Sequence, residues 1–288
     1  MTAIEHIKSK QIAWARTNAI ELTGSKGDRG AKVYTFFLNE NLYEPMSCST
    51  LEQFEQGNGN ELLMGRDGTP CKMQALHSSS ALGVNVFEYW KKLGDAVSIA
   101  VACKFVRKDS VAPKMIVFEE KYPISEERDH PPNIDVVIHN DDSSDVKRLA
   151  IECKFTEACR THGGLDSFYL TKCFDLWGDI PNLKKLAESI SPNDNHFQYF
   201  HAAQLIKHIL GLKKKFDKHE FKLFYLWYDA LGKAGAIHRK EVGKFGGIAK
   251  EDGIMFRSMT YQELIVRLCK TLSAKHGDYI QYLVNRYL

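Results

Sequence analysis

The sequence predicts an α/β fold in which a mixed central sheet is flanked by helices, with an N-terminal extension before it and helices behind it. Three observations carry that expectation. Strand-like runs at 114–124, 133–140 and 148–156 follow one another with only short charged turns between them. A helical pattern stands immediately before them. A strongly periodic helix and then a buried strand stand immediately after.

Taken in order, the chain opens with a helix expected from Ala3 to Leu22, then the turn-rich "TGSKGDRGAK" and a short strand, "VYTFFL". The polar "EQGNGNELLMGRDGTP" reads as loop because Gly, Asn and Pro disfavour regular structure. Residues 1–75 are therefore expected to form an accessory region for DNA contact or dimerisation, and 76–288 the main domain. In "HSSSALGVNVFEYWKKLG", Ser80 is the expected N-cap, Leu82, Val86, Phe87, Trp90 and Leu93 have helical spacing, and Gly94 follows the end. "AVSIAVACKFV" fits either a strand or a buried helix. The three strands are joined by "SEERDHPP" and "DDSSDVK", both suited to antiparallel hairpins. Then come the helix "NHFQYFHAAQLIKHILGLKKK", the strand "FKLFYLWYDA", a glycine-rich loop "GKFGGIAKEDG" and helical residues to the end.

A composition of 44% hydrophobic and 26% charged residues is that of a globular protein with a sizeable core. No run reaches the ~18 apolar residues of a membrane helix, and the N-terminus lacks the apolar segment of a signal peptide, so a cytoplasmic protein without a membrane partner is expected. The seven cysteines include no C-x-x-C pair, which argues against a zinc ribbon and a disulfide framework. A net charge of +3 identifies no polyanion partner by itself, and the basic runs 212–222 and 238–244 read first as solvated helix ends and loops. The chain has no G-x-x-x-x-G-K-[ST] loop, no G-x-G-x-x-G turn and no G-x-S-x-G elbow, which disfavours nucleotide motors, dinucleotide enzymes and esterases.

The informative stretch is "LAIECKFTE", where a Glu and a Lys interrupt a good strand pattern. Side chains alternate along a strand, so Ile151, Cys153 and Phe155 share one face while Glu152 and Lys154 share the other. In the preceding strand Ile134, Val136 and Ile138 are expected on one face and Asp135 on the opposite one. Pairing of the two strands allows a register that brings Asp135 beside Glu152 and Lys154. Two carboxylates can hold Mg²⁺, a hard cation that takes oxygen ligands and keeps several waters. Such an ion lowers the pKa of bound water, and an ammonium beside it can orient that water or offset charge developing on a phosphate.

At "PPNIDVVI" and "IECKF" the sequence resembles the PD-(D/E)XK phosphodiesterase superfamily, the restriction-endonuclease-like nucleases, over about residues 80–230. Two residues separate Pro132 from Asp135, a departure from the strictest form of the motif. The resemblance implies a restriction-endonuclease-like core with Asp135 and Glu152 as metal ligands, the Cys153 carbonyl as a further ligand, and Lys154 acting at the attacking water. It also implies Mg²⁺ as cofactor, with Mn²⁺ able to substitute, and double-stranded DNA as substrate. The activity expected is that of a type II restriction or defence endonuclease working as a homodimer. A catalytically silent binding protein of the same fold, or a nuclease acting on RNA or repair intermediates, stays open.

Family members often supply another acid from the first helix or strand, where Glu88, Glu119 and Glu120 compete. Glu119 is preferred, while Glu88 reads as an i, i+4 partner of Lys92. Gln204 lies on one helix stripe with His201 and His208, and the resemblance gives it a place near the substrate phosphate or the water. A zinc site at His196, His201 and His208 is disfavoured because 201 and 208 lie two turns apart. Ser79, Ser80 and Asn85 are candidates to face DNA, with capping and packing as the alternative.

Overall fold

The computed structural model describes residues 1–24, 31–65, 68–127, 131–230 and 232–288. Parts of the expected turns "TGSKGDRGAK", "EQGNGNELLMGRDGTP" and "SEERDHPP" lie outside them.

Helix α1 (Ala3–Thr17) starts at Thr2, whose hydroxyl accepts from Glu5 N–H while the Glu5 carboxylate accepts from Thr2 N–H, a reciprocal capping box. It ends five residues before Leu22. Strands β1 (Leu22–Gly24) and β2 (Lys32–Thr35) form a small antiparallel ribbon, followed by helix α2 (Cys48–Gln56), which the sequence reading did not anticipate. Helix α3 (Ser79–Leu93) is capped by Ser78 rather than Ser80, through a bond from Ala81 N–H, and ends at Gly94 in the left-handed region (φ 66°). The ambiguous segment after it is helix α4 (Ala96–Ala102).

Among the described residues the main sheet has five strands in sequential order: β3 (Pro113–Lys121), β4 (Asn133–Asn140), β5 (Arg148–Lys154), β6 (Phe221–Trp227) and β7 (Phe256–Thr260). The first three form the expected antiparallel meander; β6 and β7 then add parallel to β5. Helices α5 (Phe168–Thr171), α6 (Pro181–Ser189) and α7 (Ala202–Lys215) cross from β5 to β6, and α8 (Gly232–Glu251) crosses from β6 to β7. Helices α9 (Tyr261–Leu272) and α10 (Gly277–Tyr287) end the chain.

Two of these elements correct the sequence reading. The expected glycine-rich loop is mostly α8, where Val242, Phe245 and Ala249 are buried at helical spacing. A Cβ on Gly246 would stand 3.3 Å from the Phe256 ring, so the small residue lets this helix lie close to β7. That edge strand itself was missed, since within it only Met259 is fully buried and no alternation announces it.

Helices cover both faces of the sheet. Val136, Ile138, Leu149, Ile151, Cys153, Phe224 and Leu226 pack in one core with α3, α4, α9 and α10. Val137, Ala150, Leu223, Tyr225 and Trp227 pack in a second core with α6, α7 and α8. Burial on both faces explains why β6 reads as an almost continuous apolar run. Ile7, Phe54 and Met73 from the N-terminal region belong to the first core. The buried Arg286 of α10 helps join the ends of the chain: its Nε donates to Gln11 Oε1 at 3.0 Å and its guanidinium lies 4.1 Å from the Trp14 ring centre. No described helix is long and apolar enough to cross a membrane.

Candidate active site

The site forms where β3 and β4 lose their regularity beside an unbroken β5. Strand β4 pairs with β5 from His139–Arg148 to Val136–Ile151, and there the recorded pairing stops. One residue farther, the Asp135 carboxylate replaces the ladder, with Oδ2 accepting from Cys153 N–H at 2.7 Å. On the other side, between the Phe118–Val136 and Glu120–Ile134 pairs, Glu119 stands opposite Asp135 with its backbone in the left-handed region (φ 54°). Such a conformation is costly for a residue with a Cβ and is found where the surroundings over-determine it.

The pleat is interrupted at the same point. Val136 and Ile138 point into the α3-side core, but Ile134 belongs to the α7-side core, so the expected single apolar face of Ile134, Val136 and Ile138 breaks at Asp135. On β5 the alternation holds. Ile151, Cys153 and Phe155 lie on the α3 side, and Glu152 is bonded to His208 of α7 on the other.

Glu152 is completely buried; Oε2 is hydrogen-bonded, and Oε1, without a hydrogen-bond partner, faces an ammonium. Oε1 lies 2.5 Å from Lys154 Nζ, and Oε2 lies 2.7 Å from His208 Nε2. Burial works to raise the pKa of this carboxyl, but Lys154 and His208 outweigh it and hold it down to about 2. The Lys154 ammonium is disfavoured by burial and favoured by Glu152, Asp135 and Glu157, and the acids prevail, keeping it charged. Asp135, whose surface is partly exposed, is nevertheless pushed well above the usual range by loss of water around its carboxyl and then by the charge of Glu152. Burial likewise raises Glu119 to about 7, with Glu61 and Glu152 adding to the effect against a bond from Asn133.

The four residues of the sequence motif are thus in one place, Glu119 is beside them, and the strand register explains how. The other candidates divide. Glu120 faces away and pairs with His139 at 2.6 Å. Glu88 is buried against α2, accepting from Ser47 N–H and the Thr50 hydroxyl, while its expected partner Lys92 pairs with Glu44 instead. Asn85 is a packing residue, since its amide donates to Asn41 O and Tyr287 Oη and accepts from Tyr43 N–H in the interior. Ser79 accepts from Phe155 N–H at 2.9 Å and donates to Glu157, which ties α3 to the end of β5. Gln204 is half-buried on α7, one turn before His208. His201 stacks on His162 at 4.4 Å, and burial followed by the charges of His162 and Lys154 lowers it to about 3.

His208, Glu61 and Glu157 are the neighbours that sequence reasoning missed in these roles. The stripe through His201, Gln204 and His208 was the available signal for the first. The two acids sit in segments without periodicity, where no pattern marks them.

Among the described residues no three His, Cys, Asp or Glu side chains form a ready metal cage. The donors present still fit a hard divalent cation that needs only one or two carboxylates and brings its own waters. Asp135 and Glu119 stand opposite each other across the β3–β4 pair, and burial raises the pKa of both, a cost that a cation would offset.

No curated protein and no solved structure matches the chain. A family model does, over residues 9–288. That span is nearly the whole sequence, and the chain belongs to the REase-ARP family, described as "Restriction Endonuclease associating with ARP".

Proposed function

We propose that this restriction-endonuclease-type protein is a Mg²⁺-dependent endonuclease of the PD-(D/E)XK kind that hydrolyses phosphodiester bonds in double-stranded DNA. The observation that carries the reading is the convergence of Asp135, Glu152 and Lys154 at the interrupted β4–β5 ladder, in a chain whose family is one of restriction endonucleases. Asp135 and Glu152 would hold the cation, with the Cys153 carbonyl as a further oxygen donor and Glu119 as an added acid. The ion, when bound, supplies an acidified water and an electrostatic anchor for the scissile phosphate.

The chain's own residues do the rest. Asp135 is the most exposed of the three and would be the first to meet a substrate phosphate. Lys154 is held charged by three acids and presents an ammonium to the charge that develops on the phosphate. Gln204, one helical turn from the Glu152 partner His208, would orient the phosphate or the water. Cutting both strands calls for two such sites, which a symmetric homodimer in the cytoplasm would supply.

The test is plasmid DNA, linear DNA and RNA, each incubated with the purified protein in Mg²⁺, in Mn²⁺ and in chelator, beside Lys154→Ala. Metal-dependent fragments that disappear with the variant support the reading. Metal-dependent fragments that persist in Lys154→Ala would remove the lysine from the chemistry, and cleavage of RNA alone would replace the substrate.

A further inference from the structure

His208 sits in the middle of α7, 2% exposed, among Leu205, Ile209 and Leu212 of the core. The imidazole Nε2 is 2.7 Å from Glu152 Oε2, while Nδ1 is buried with no hydrogen-bond partner. A proton on Nδ1 would be an orphaned donor, so the ring proton belongs on Nε2, donated to the carboxylate. A glutamate otherwise turns freely about its last torsion. Here one oxygen is fixed by a side chain that is itself locked in a packed helix, and the other is thereby aimed at Lys154.

We propose that His208 is the positioning residue of the site: by holding Oε2 of Glu152, it keeps Oε1 directed toward Lys154 and the metal position. This inference rests on the metal-dependent reading above. It assigns to α7, an element without any of the motif residues, the job of orienting a carboxylate on β5. Groups around a metal-binding carboxylate commonly matter in this indirect way, with losses of about 10–100-fold in metal affinity when they are removed. A purely structural buried pair would instead affect thermal stability and leave metal affinity alone.

The experiment is calorimetric titration of the full-length protein with Mn²⁺ and with Mg²⁺, without DNA, for the natural sequence, His208→Ala, His208→Gln, His208→Asn and Asp135→Asn. Glutamine can place an amide donor near the position of Nε2, and asparagine is too short. We expect Mn²⁺ affinity to fall about 10–100-fold in His208→Ala and His208→Asn and to be largely restored in His208→Gln. If His208→Ala fails to fold, the comparison of glutamine with asparagine decides. Equal affinity in folded His208 variants, with binding lost in Asp135→Asn, overturns the positioning role alone. Absence of metal binding by the natural sequence, or unchanged binding in Asp135→Asn, overturns the metal site and this inference with it.

Discussion

The Asp135 carboxylate stands in for a strand: its Oδ2 accepts from Cys153 N–H at 2.7 Å, one residue past the last β4–β5 pair. The side chain therefore has two duties, closing the ladder and presenting an acid at the mouth of the site. Asp135→Asn separates them, because the amide oxygen can still accept from Cys153 while the charge is gone. The expected outcome is a fold preserved by circular dichroism and a cleavage rate lower by about 10²-fold or more, the scale seen when a transition-state electrostatic contact is removed. A fully active Asp135→Asn would leave only the architectural duty.

Asn85 provides the contrast of a polar residue that belongs to the fold alone. Its side chain satisfies Tyr43 N–H, Asn41 O and Tyr287 Oη inside the core. Asn85→Ala strands these groups, each at a cost of about 1–3 kcal/mol before relaxation. Urea unfolding should show a loss of about 3 kcal/mol, while DNA affinity of the folded fraction in a low-salt shift assay stays unchanged. Weaker DNA binding at unchanged stability would return this residue to the interface.

What could be read in advance follows from how each residue is specified. Glu152 and Lys154 were legible because strand alternation is local, and β5 keeps it. Asp135 was legible as a position but not as a geometry, because the break in the pleat lies opposite Glu119 of β3, whose left-handed backbone its own sequence does not announce. His208 belongs to the site only through the packing of α7 on the sheet, a long-range fact that helical periodicity cannot contain. Helix α8 was misread because its glycines suggested a loop, whereas close contact with Phe256 makes Gly246 a packing residue; the edge strand β7 was missed because, with only Met259 fully buried, it carries no alternation.

Two carboxyls of the site, Glu119 and Glu152, pull stability in opposite directions with pH. Burial first, with Glu61 and Glu152 adding, raises folded Glu119 to about 7 from an ordinary 4.5, so the folded state binds this proton more tightly than the unfolded chain. Its contribution is present below about pH 4.5 and is lost as pH rises toward 7. Glu152, held down to about 2 by Lys154 and His208 against its burial, contributes above about pH 4.5 and loses that contribution as pH falls toward 2. These two contributions meet near pH 4.5, and Asp135, raised in the same way as Glu119, adds to the loss of stability of the metal-free protein as pH rises. Urea melts from pH 3 to 8 should show the descending arm flatten in Glu119→Gln; parallel curves for the two proteins would mean that Glu119 ionises normally.

Gly57, at the end of α2, sets how close Glu119 can come. Its backbone (φ −64°, ψ 152°) suits any residue, but a Cβ there would lie 2.9 Å from Glu119 Oε2 and 3.2 Å from Phe54 O. The helix carbonyl cannot retreat easily, whereas the end of a glutamate side chain can, so alanine should displace the carboxylate and spare the fold. Gly57→Ala is expected to unfold within a few degrees of the natural sequence and to reduce metal-dependent cleavage by about 10-fold, in the range found when a metal site's surroundings are disturbed. Paired with Glu119→Gln, the substitution should add little further loss, since both act through one carboxylate. Additive losses in that double variant would show that Gly57 acts elsewhere, and an unchanged rate in both single variants would remove Glu119 from the reaction.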